Sequence, residues 1–249
     1  MHSHCTFTRL KSGVKQQLFL IRLNALVGVS MLKLIMKQAI ALMAAFTLAV
    51  PAWAGNWEEA KYDKDNDIRV FTRSVKGSDM KAFRGEMIMP STLTAPVALL
   101  QDVDRAGEWV FNCRAMALIE ELSDTQALYY TVTEMPWPVM NRDNISETNI
   151  LQDAETNAVT VTISARNDVF PENDDHVRIR ELDATWTVEP LNDGLVRIVY
   201  EAHADPGGGL PSWLVNSFVV DAPLQTLRKM RQLLDDDRYQ LAQRDYISQ

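Results

Sequence analysis

The chain has 249 residues with 33 acidic and 25 basic side chains, which gives a formal charge of −8 at neutral pH. Apolar residues make up 47% of it and the acidic ones are dispersed, so the composition excludes a disordered chain. The excess of negative charge excludes nucleic acid and anionic membrane surfaces as long-range electrostatic partners.

The first 54 residues have the composition of an export leader, with six basic residues and no acidic one. Lys33 and Lys37 precede an apolar run over residues 39–50, and the small-residue sequence Pro51-Ala52-Trp53-Ala54 follows. This order is typical of a signal peptide, and the run is shorter than the roughly 20 residues that a membrane span needs. We predict export to a bacterial periplasm and cleavage after Ala54; an uncleaved anchor is the alternative.

The translation start is open, because Met31 or Met36 would make a more usual signal peptide than Met1. Residues 55–249 form the predicted domain, and they contain 19 basic and all 33 acidic residues, a formal charge of −14. A chain of this length can bury the core of one domain.

Cysteine usage excludes an intrachain disulfide in the predicted mature chain. Cys5 lies in the leader, which leaves Cys113 alone. Its apolar neighbours indicate a buried, unreactive thiol.

The first half of the domain shows three strand patterns and then a helical pair. Alternation predicts strands over residues 57–62, 68–73 and 81–89. The spacing of apolar residues predicts a helix over 93–100, and a second one over 102–113 with Trp109 and Phe111 facing inward.

Strand patterns separated by turn residues follow, over residues 117–122, 127–135, 142–151, 158–165, 177–189 and 196–204. Three glycines, Gly207, Gly208 and Gly209, then predict a hinge. After the hinge, apolar spacing predicts one amphipathic helix over residues 210–240, bent at Pro223. Short connections make the sheet antiparallel, and a long helix across its mouth would enclose a cavity.

Several short motifs follow one another in a characteristic order along the chain. They are Trp109, Tyr129-Tyr130, Met135-Pro136-Trp137-Pro138 before Asn141-Arg142-Asp143, Val177-Arg178, Trp186, and Tyr200-x-x-His203-x-Asp205-Pro206-Gly207-Gly208 before Leu210-Pro211-Ser212-Trp213-Leu214-Val215-Asn216. The ordered set resembles the START family of StAR-related lipid-transfer domains. The resemblance implies an α+β helix-grip fold, with a hydrophobic tunnel for one lipid and the C-terminal helix as its lid.

This interpretation assigns ligand contact to seven residues and movement of the lid to four. The ligand residues are Arg142, Trp109, Tyr130, Trp213, Phe218, Leu214 and Leu224, and the hinge residues are Gly207, Gly208, Gly209 and Pro223. Arg142 and Asp143 are neighbours on one strand, so only one can face the cavity. Either Arg142 binds a ligand head group or carboxylate, or the two residues have structural roles.

The sequence predicts neither a metal site nor a cofactor. His203 and Asp205 share one strand face, which is too few ligands for zinc and favours roles in hydrogen bonding and turn formation. We expect a monomeric lipid carrier with transient membrane contact and no catalytic residues. An enzyme acting on an apolar substrate in the same cavity, resembling cyclases or hydrolases, and a ligand-sensing interaction protein are the alternatives.

Overall fold

The computed structural model describes residues 56–172, 174–210, 214–215 and 217–249. All of them belong to the compact unit Gly55–Gln249. The predicted leader, its cleavage point and Trp213 lie outside the described residues.

In the described residues, ten strands form one curved sheet. Their bounds are β1 Glu58–Asp63, β2 Ile68–Ser74, β3 Lys81–Pro90, β4 Cys113–Ser123, β5 Gln126–Thr133, β6 Arg142–Gln152, β7 Val159–Ala165, β8 Val177–Arg178, β9 Glu181–Pro190 and β10 Leu195–Asp205. The sheet is antiparallel except for the pairing of β8 with β6. The order across the sheet is β1-β2-β3-β10-β9-β7-β6-β5-β4. The curved antiparallel sheet with its C-terminal helix is therefore confirmed.

The turn residues have the backbone conformations that tight reversals require. Asp67, Asn157 and Asp193 have positive φ angles of 47°, 59° and 61°, the region that Asn and Asp tolerate better than other side chains. The prediction of one continuous strand over residues 177–189 was wrong, because these residues form two strands, β8 and β9. Strand β8 pairs with β6 in parallel orientation, and β9 pairs with β7 and β10.

The predicted helical pair is shorter than expected. Helix α1 covers Thr94–Gln101, a 3-10 turn covers Val103–Arg105, and α2 covers Ala106–Trp109. The second helix stops early because Cys113 already begins β4 and pairs with Thr133 of β5.

The C-terminal segment is helical in pieces, so one continuous helix over residues 210–240 was wrong. A π-helical turn, Ser217–Asp221, leads into α3, Ala222–Leu234, and a short α4 follows at Asp237–Gln240. The backbone breaks before α4, where the Asp236 side chain accepts a hydrogen bond from the amide of Arg238. Pro223 lies in the first turn of α3, where its missing N–H costs no helical hydrogen bond.

Helix α3 is anchored on the sheet by its apolar face. Leu227, Met230 and Leu234 have no exposed surface. The close approach of the helix depends on Gly85 of β3, because a Cβ there would lie 2.7 Å from Leu227 Cδ1. Among the described residues, no helix has both the length and the apolar character needed to cross a bilayer.

Candidate ligand-binding site

A cavity of about 250 Å³ lies between the sheet and the helical segments. One face of β3–β7, β9 and β10 forms its wall, together with residues of α1, α2 and the C-terminal segment. Its volume lies just below the usual range for ligand pockets, about 300–1,000 Å³.

Strand alternation decides which side chains reach the cavity. On β6, Asn144, Ser146, Thr148 and Ile150 line it. On the paired β5, the lining residues are Tyr129, Thr131 and Thr133. Successive side chains on a strand point to opposite faces, so the side chains of the intervening residues point away from the cavity.

Aromatic side chains form one end of the cavity. The Trp186 and Tyr200 rings stack at 3.9 Å, and the Trp109 and Phe83 rings meet them edge-on at 6.0 Å and 5.0 Å respectively. Burial raises the pKa of the Tyr200 hydroxyl to about 12, so it is neutral at physiological pH.

The indole nitrogen of Trp109 is buried and has no hydrogen-bond partner within the described part of the chain. Trp109 is only 2% exposed and lines the cavity. An unpaired buried donor costs about 1–3 kcal/mol, and an acceptor on a ligand could relieve this cost.

The C-terminal segment closes the side of the cavity beside α2. The Phe218 ring meets the Phe111 ring edge-on at 6.0 Å, and both line the cavity. The Thr226 hydroxyl on α3 accepts a hydrogen bond from the Phe111 amide at 3.1 Å. One helical segment therefore supplies both cavity wall and attachment to the rest of the fold.

Polar side chains on β5 and β6 form a patch on the cavity wall. This polar patch consists of Tyr129, Thr131, Thr133, Asn144, Ser146 and Thr148. Tyr129 pairs with Ser146 across the two strands, and Thr131 pairs with Asn144. Alternation along β5 and β6 places these residues on one face, but no role was predicted for them from the sequence.

Arg142 lies on the same strand face as the patch but does not line the cavity. It is 3% exposed, and its guanidinium donates to three backbone carbonyls: Pro206 at 3.1 Å, Met140 at 2.5 Å and Gly207 at 2.9 Å. Burial lowers the pKa of this guanidinium. Arg142 therefore holds the loop of Gly207, Gly208 and Gly209 (the glycine loop) in place, a role called the Arg142 clamp below, and does not lie where a ligand head group would contact it.

Asp143 points to the other face and is bound by Arg178, whose Nε and Nη2 donate to its two oxygens at 2.8 Å and 3.0 Å. Burial opposes ionisation of Asp143, but the bonds from Arg178 outweigh it and lower the pKa of the carboxyl. Tyr130 donates to the same carboxylate at 3.2 Å. Tyr130 therefore lies outside the cavity, contrary to its predicted ligand contact, and its neighbour Tyr129 faces inward.

The remaining predicted ligand residues divide into two groups. Trp109 and Phe218 line the cavity. Leu214 and Leu224 are 3% and 4% exposed but are not part of the cavity wall. Leu224 is instead part of the core between helix and sheet.

The predicted glycine hinge has the backbone that requires glycine at two of its three positions. Gly207 and Gly208 have φ angles of 67° and 68°, and the Gly207 amide donates to the side chain of Asp205 at 2.9 Å. His203 Nε2 lies 3.1 Å from the Ser78 hydroxyl in the loop before β3. Asp205 is thus a turn residue and His203 a hydrogen-bonding residue, as predicted.

The described cavity wall contains no carboxylate, imidazole or thiol, and Lys81 is its one charged side chain. No cluster of three or more His, Cys, Asp or Glu residues that could hold a metal ion occurs in the part of the chain that the structure describes. Cys113 is buried as a free thiol, and burial raises its pKa, which disfavours the reactive thiolate.

Comparison with known proteins gives the same architecture. Residues 37–238 match the model of the START domain family. An uncharacterized protein of Pseudomonas aeruginosa is 34% identical over 197 residues, which cover 79% of this chain and 96% of that one. The phosphatidylcholine transfer protein of Mus musculus is 26% identical over 46% of this chain and 54% of its own length.

Solved structures extend the likeness to three dimensions. A STAR-related lipid transfer protein from Xanthomonas axonopodis has a TM-score of 0.65 and 35% identity, with 72% of this chain and 99% of that one covered. Human STARD10 has a TM-score of 0.62 at 19% identity, covering 78% of this chain and 79% of that one, and supports the fold alone. The family model and these relatives together show that the chain belongs to the START domain family.

Proposed function

We propose that this START protein binds one lipid or other apolar molecule in a tunnel formed by the cavity, and carries it through water. The observation that carries the proposal is the cavity of about 250 Å³, whose wall is largely aliphatic and aromatic. Each lipid methylene exposed to water costs about 0.8 kcal/mol, so a free acyl chain hardly leaves a membrane. An apolar wall removes most of that cost.

Entry and exit of the ligand require part of the wall to move. The C-terminal segment is the best candidate for the moving part, because Phe218 contacts Phe111 at the cavity and the glycines Gly207 and Gly208 can act as its hinge. Pro223 is a less suitable second hinge, because it is buried in the first turn of α3. We propose that the segment opens at the glycine loop and that the Arg142 clamp sets how readily it does so.

Exposed apolar side chains near this loop would suit transient membrane contact. Trp137 is 93% exposed and Met140 is 48% exposed in the connection between β5 and β6, and Phe170 is 51% exposed before β8. The guanidinium of Arg142 binds the carbonyls of both Met140 and Gly207, so this connection lies beside the hinge. A Trp137→Ala variant should transfer lipid between neutral vesicles more slowly while retaining the same bound lipid.

We also propose that this protein is exported to the periplasm. The basic residues and apolar run of residues 1–54 support delivery to the periplasm, where a carrier could work between two membranes. N-terminal sequencing of the exported protein should give Gly55 as its first residue. An N-terminus upstream of Gly55 would overturn cleavage after Ala54.

The proposal contains no catalytic step. General acid–base catalysis needs a proton donor or acceptor at the ligand, and the two tyrosine hydroxyls of the described wall, Tyr129 and Tyr200, both have pKa values raised by burial. Two of the similar proteins described above, from Mus musculus and Xanthomonas axonopodis, are named for lipid transfer.

Filling the cavity tests the carrier function. Ala184 of β9 lines it, and Thr185 is the next residue, on the opposite face of the same strand. Protein purified from its own host should contain a lipid detectable by native mass spectrometry and extraction. Ala184→Phe should reduce its recovery at least tenfold, and the matched control Thr185→Phe should not. A folded Ala184→Phe protein with unchanged ligand content, or a wild-type protein with no apolar ligand, would overturn the proposal.

A further inference from the structure

The wall of the cavity contains a buried hydrogen-bond donor that no described residue pairs with. Trp109 is 2% exposed and its ring lines the cavity, but its indole nitrogen Nε1 has no hydrogen-bond partner within the described ranges. This N–H can only donate, so it needs an acceptor. Buried donors in proteins are nearly always paired. An unpaired donor beside a cavity therefore points to an acceptor on the molecule that the cavity holds.

The ring of Trp109 has aromatic neighbours in the cavity wall. It meets the Trp186 ring edge-on with the ring centroids 6.0 Å apart, and Trp186 stacks on Tyr200 at 3.9 Å. The face of an aromatic ring is at most a weak acceptor, so these contacts do not replace a hydrogen bond to oxygen. The acceptor is therefore left for the ligand to supply.

The surroundings of Trp109 favour an acceptor without charge. Burial raises the pKa of the nearby Tyr200 hydroxyl to about 12, because a negative charge is disfavoured at this end of the cavity. A buried anion is costly unless a cation pairs with it, and Lys81 is the one charged side chain of the described wall. A ketone, ester or hydroxyl oxygen can accept from the indole without bringing a charge.

Lys81 lies on the hinge side of the cavity, away from Trp109. Phe83 pairs with Ala202 of β10. Continuing this register by two residues places Lys81 beside Ala204, shortly before the glycine loop. From Phe83, three successive ring contacts of 5.0, 3.9 and 6.0 Å lead to Trp109. Because Lys81 is exposed, a charged head group bound there would keep contact with water. The acceptor at Trp109 then belongs to the buried, apolar part of the ligand.

We propose that the ligand carries an uncharged oxygen acceptor within its apolar part, such as a ketone, ester or hydroxyl group, and that this oxygen accepts a hydrogen bond from Nε1 of Trp109. The inference rests on the proposed function of lipid binding and adds the class of ligand. That class is an oxygenated chain or ring system and not a plain hydrocarbon tail, because a plain tail leaves the buried donor unpaired.

Two small probes of equal chain length test the contact: 4-heptanone, whose carbonyl lies at the centre of its chain, and heptane, which has no acceptor. Each is titrated into delipidated protein, and NMR shifts of methyl groups in the cavity wall, such as those of Val161 and Ile163, report binding. The indole N–H resonance of Trp109, identified by its loss in Trp109→Phe, reports the hydrogen bond. It should move downfield with 4-heptanone and not with heptane.

A second variant separates the hydrogen bond from the shape of the ring. Replacement of Trp109 by β-(3-benzothienyl)alanine keeps a two-ring side chain and puts sulfur in place of the N–H. The affinity for 4-heptanone should fall about fivefold and that for heptane should not change, because only the ketone loses a hydrogen bond. Phe111→Leu is the matched control, since it removes a ring from the same wall but no donor. It should change both affinities by the same factor.

Several results would overturn the inference. The Trp109 resonance could respond alike to both probes, or the benzothienyl variant could bind 4-heptanone as tightly as the wild type. The lipid of the host-purified protein could have no oxygen along its chain, or neither probe could bind while Ala184→Phe still excludes that lipid. In these last two cases the carrier function stands and the Trp109 contact is wrong. Failure of every apolar molecule to bind would overturn the proposed function as well.

Discussion

Gly85 offers a sharp test of how the C-terminal helix is seated. A Cβ at this position would lie 2.7 Å from Leu227 Cδ1 and 3.3 Å from Pro223 Cβ. The first distance is shorter than real Cβ contacts, and Leu227 is fully buried. Gly85→Ala therefore forces the leucine to a new rotamer or lifts α3 from the sheet. Overpacking of this kind costs about 1–3 kcal/mol.

An opposing effect must be weighed against this cost. Alanine restricts the unfolded chain more than glycine does, and at an unstrained position it stabilises a protein by about 0.4–1 kcal/mol. The clash should exceed that gain and leave a net cost of up to about 2.6 kcal/mol, which lowers the melting temperature by up to about 10 °C for a chain of this size. Gly107→Ala is the control, because its Cβ would make only an ordinary contact, 3.4 Å from the Cys113 carbonyl.

A double-mutant cycle with Leu227→Ala tests whether the clash with Leu227 causes the cost of Gly85→Ala. That substitution alone should cost about 2–5 kcal/mol, because it empties space in the core. In its background the new methyl group has room, so Gly85→Ala should become neutral or stabilising. Thermal and urea unfolding of the four proteins measure the cycle. If Gly85→Ala is harmless in the wild-type background, or equally costly in both backgrounds, the close approach of helix and strand does not constrain the fold.

Two further predictions concern the attachment of the C-terminal segment. Arg142→Met leaves three backbone carbonyls without their donor, so we expect about 1–3 kcal/mol of destabilisation and faster amide exchange at Gly207 and Gly208. The control Arg114→Met, at an exposed position, should show neither effect. Unchanged amide exchange in Arg142→Met would argue against the role of Arg142 in holding this loop. Asp63 binds Arg228 of α3 at 2.6 Å, and the guanidinium lowers the pKa of the carboxyl to about 2. A lowered folded-state pKa stabilises the protein fully at pH values above about 4, the pKa in the unfolded chain, and this contribution is lost as the pH falls through about 2. Melting temperatures of wild type and Asp63→Asn should therefore differ at pH 6 and converge near pH 2, and a constant difference over this range would contradict the assignment.

Local patterns predicted most of the fold. Strand alternation and turn residues located nine of the ten strands in some form, because pleating and turn chemistry act over a few residues. The exception was β8, two residues long, which pairs with β6 in parallel orientation. Nothing in residues 177–189 marks the separation of β8 from β9, because both parts alternate alike.

The binding site was harder to predict, since residue type does not say which face is enclosed. Trp109 and Phe218 were predicted to contact the ligand and do line the cavity. Tyr130 was chosen over Tyr129, although the two differ only in which side of β5 they occupy. Arg142 was predicted as a possible head-group contact because of its charge, but two of the three carbonyls that bind it lie 64 and 65 residues away in the chain.

The sequence by itself determined the positions of most strands along the chain, the position of the glycine loop and the apolar face of α3, because each follows from backbone geometry or from side chains a few residues apart. Tertiary structure alone decided that the Arg142 guanidinium is bonded to backbone carbonyls, and that the Trp109 indole nitrogen is buried at the cavity without a partner among the described residues. Hydrogen-bond satisfaction depends on groups brought together from distant parts of the chain, and no local pattern records which of them meet.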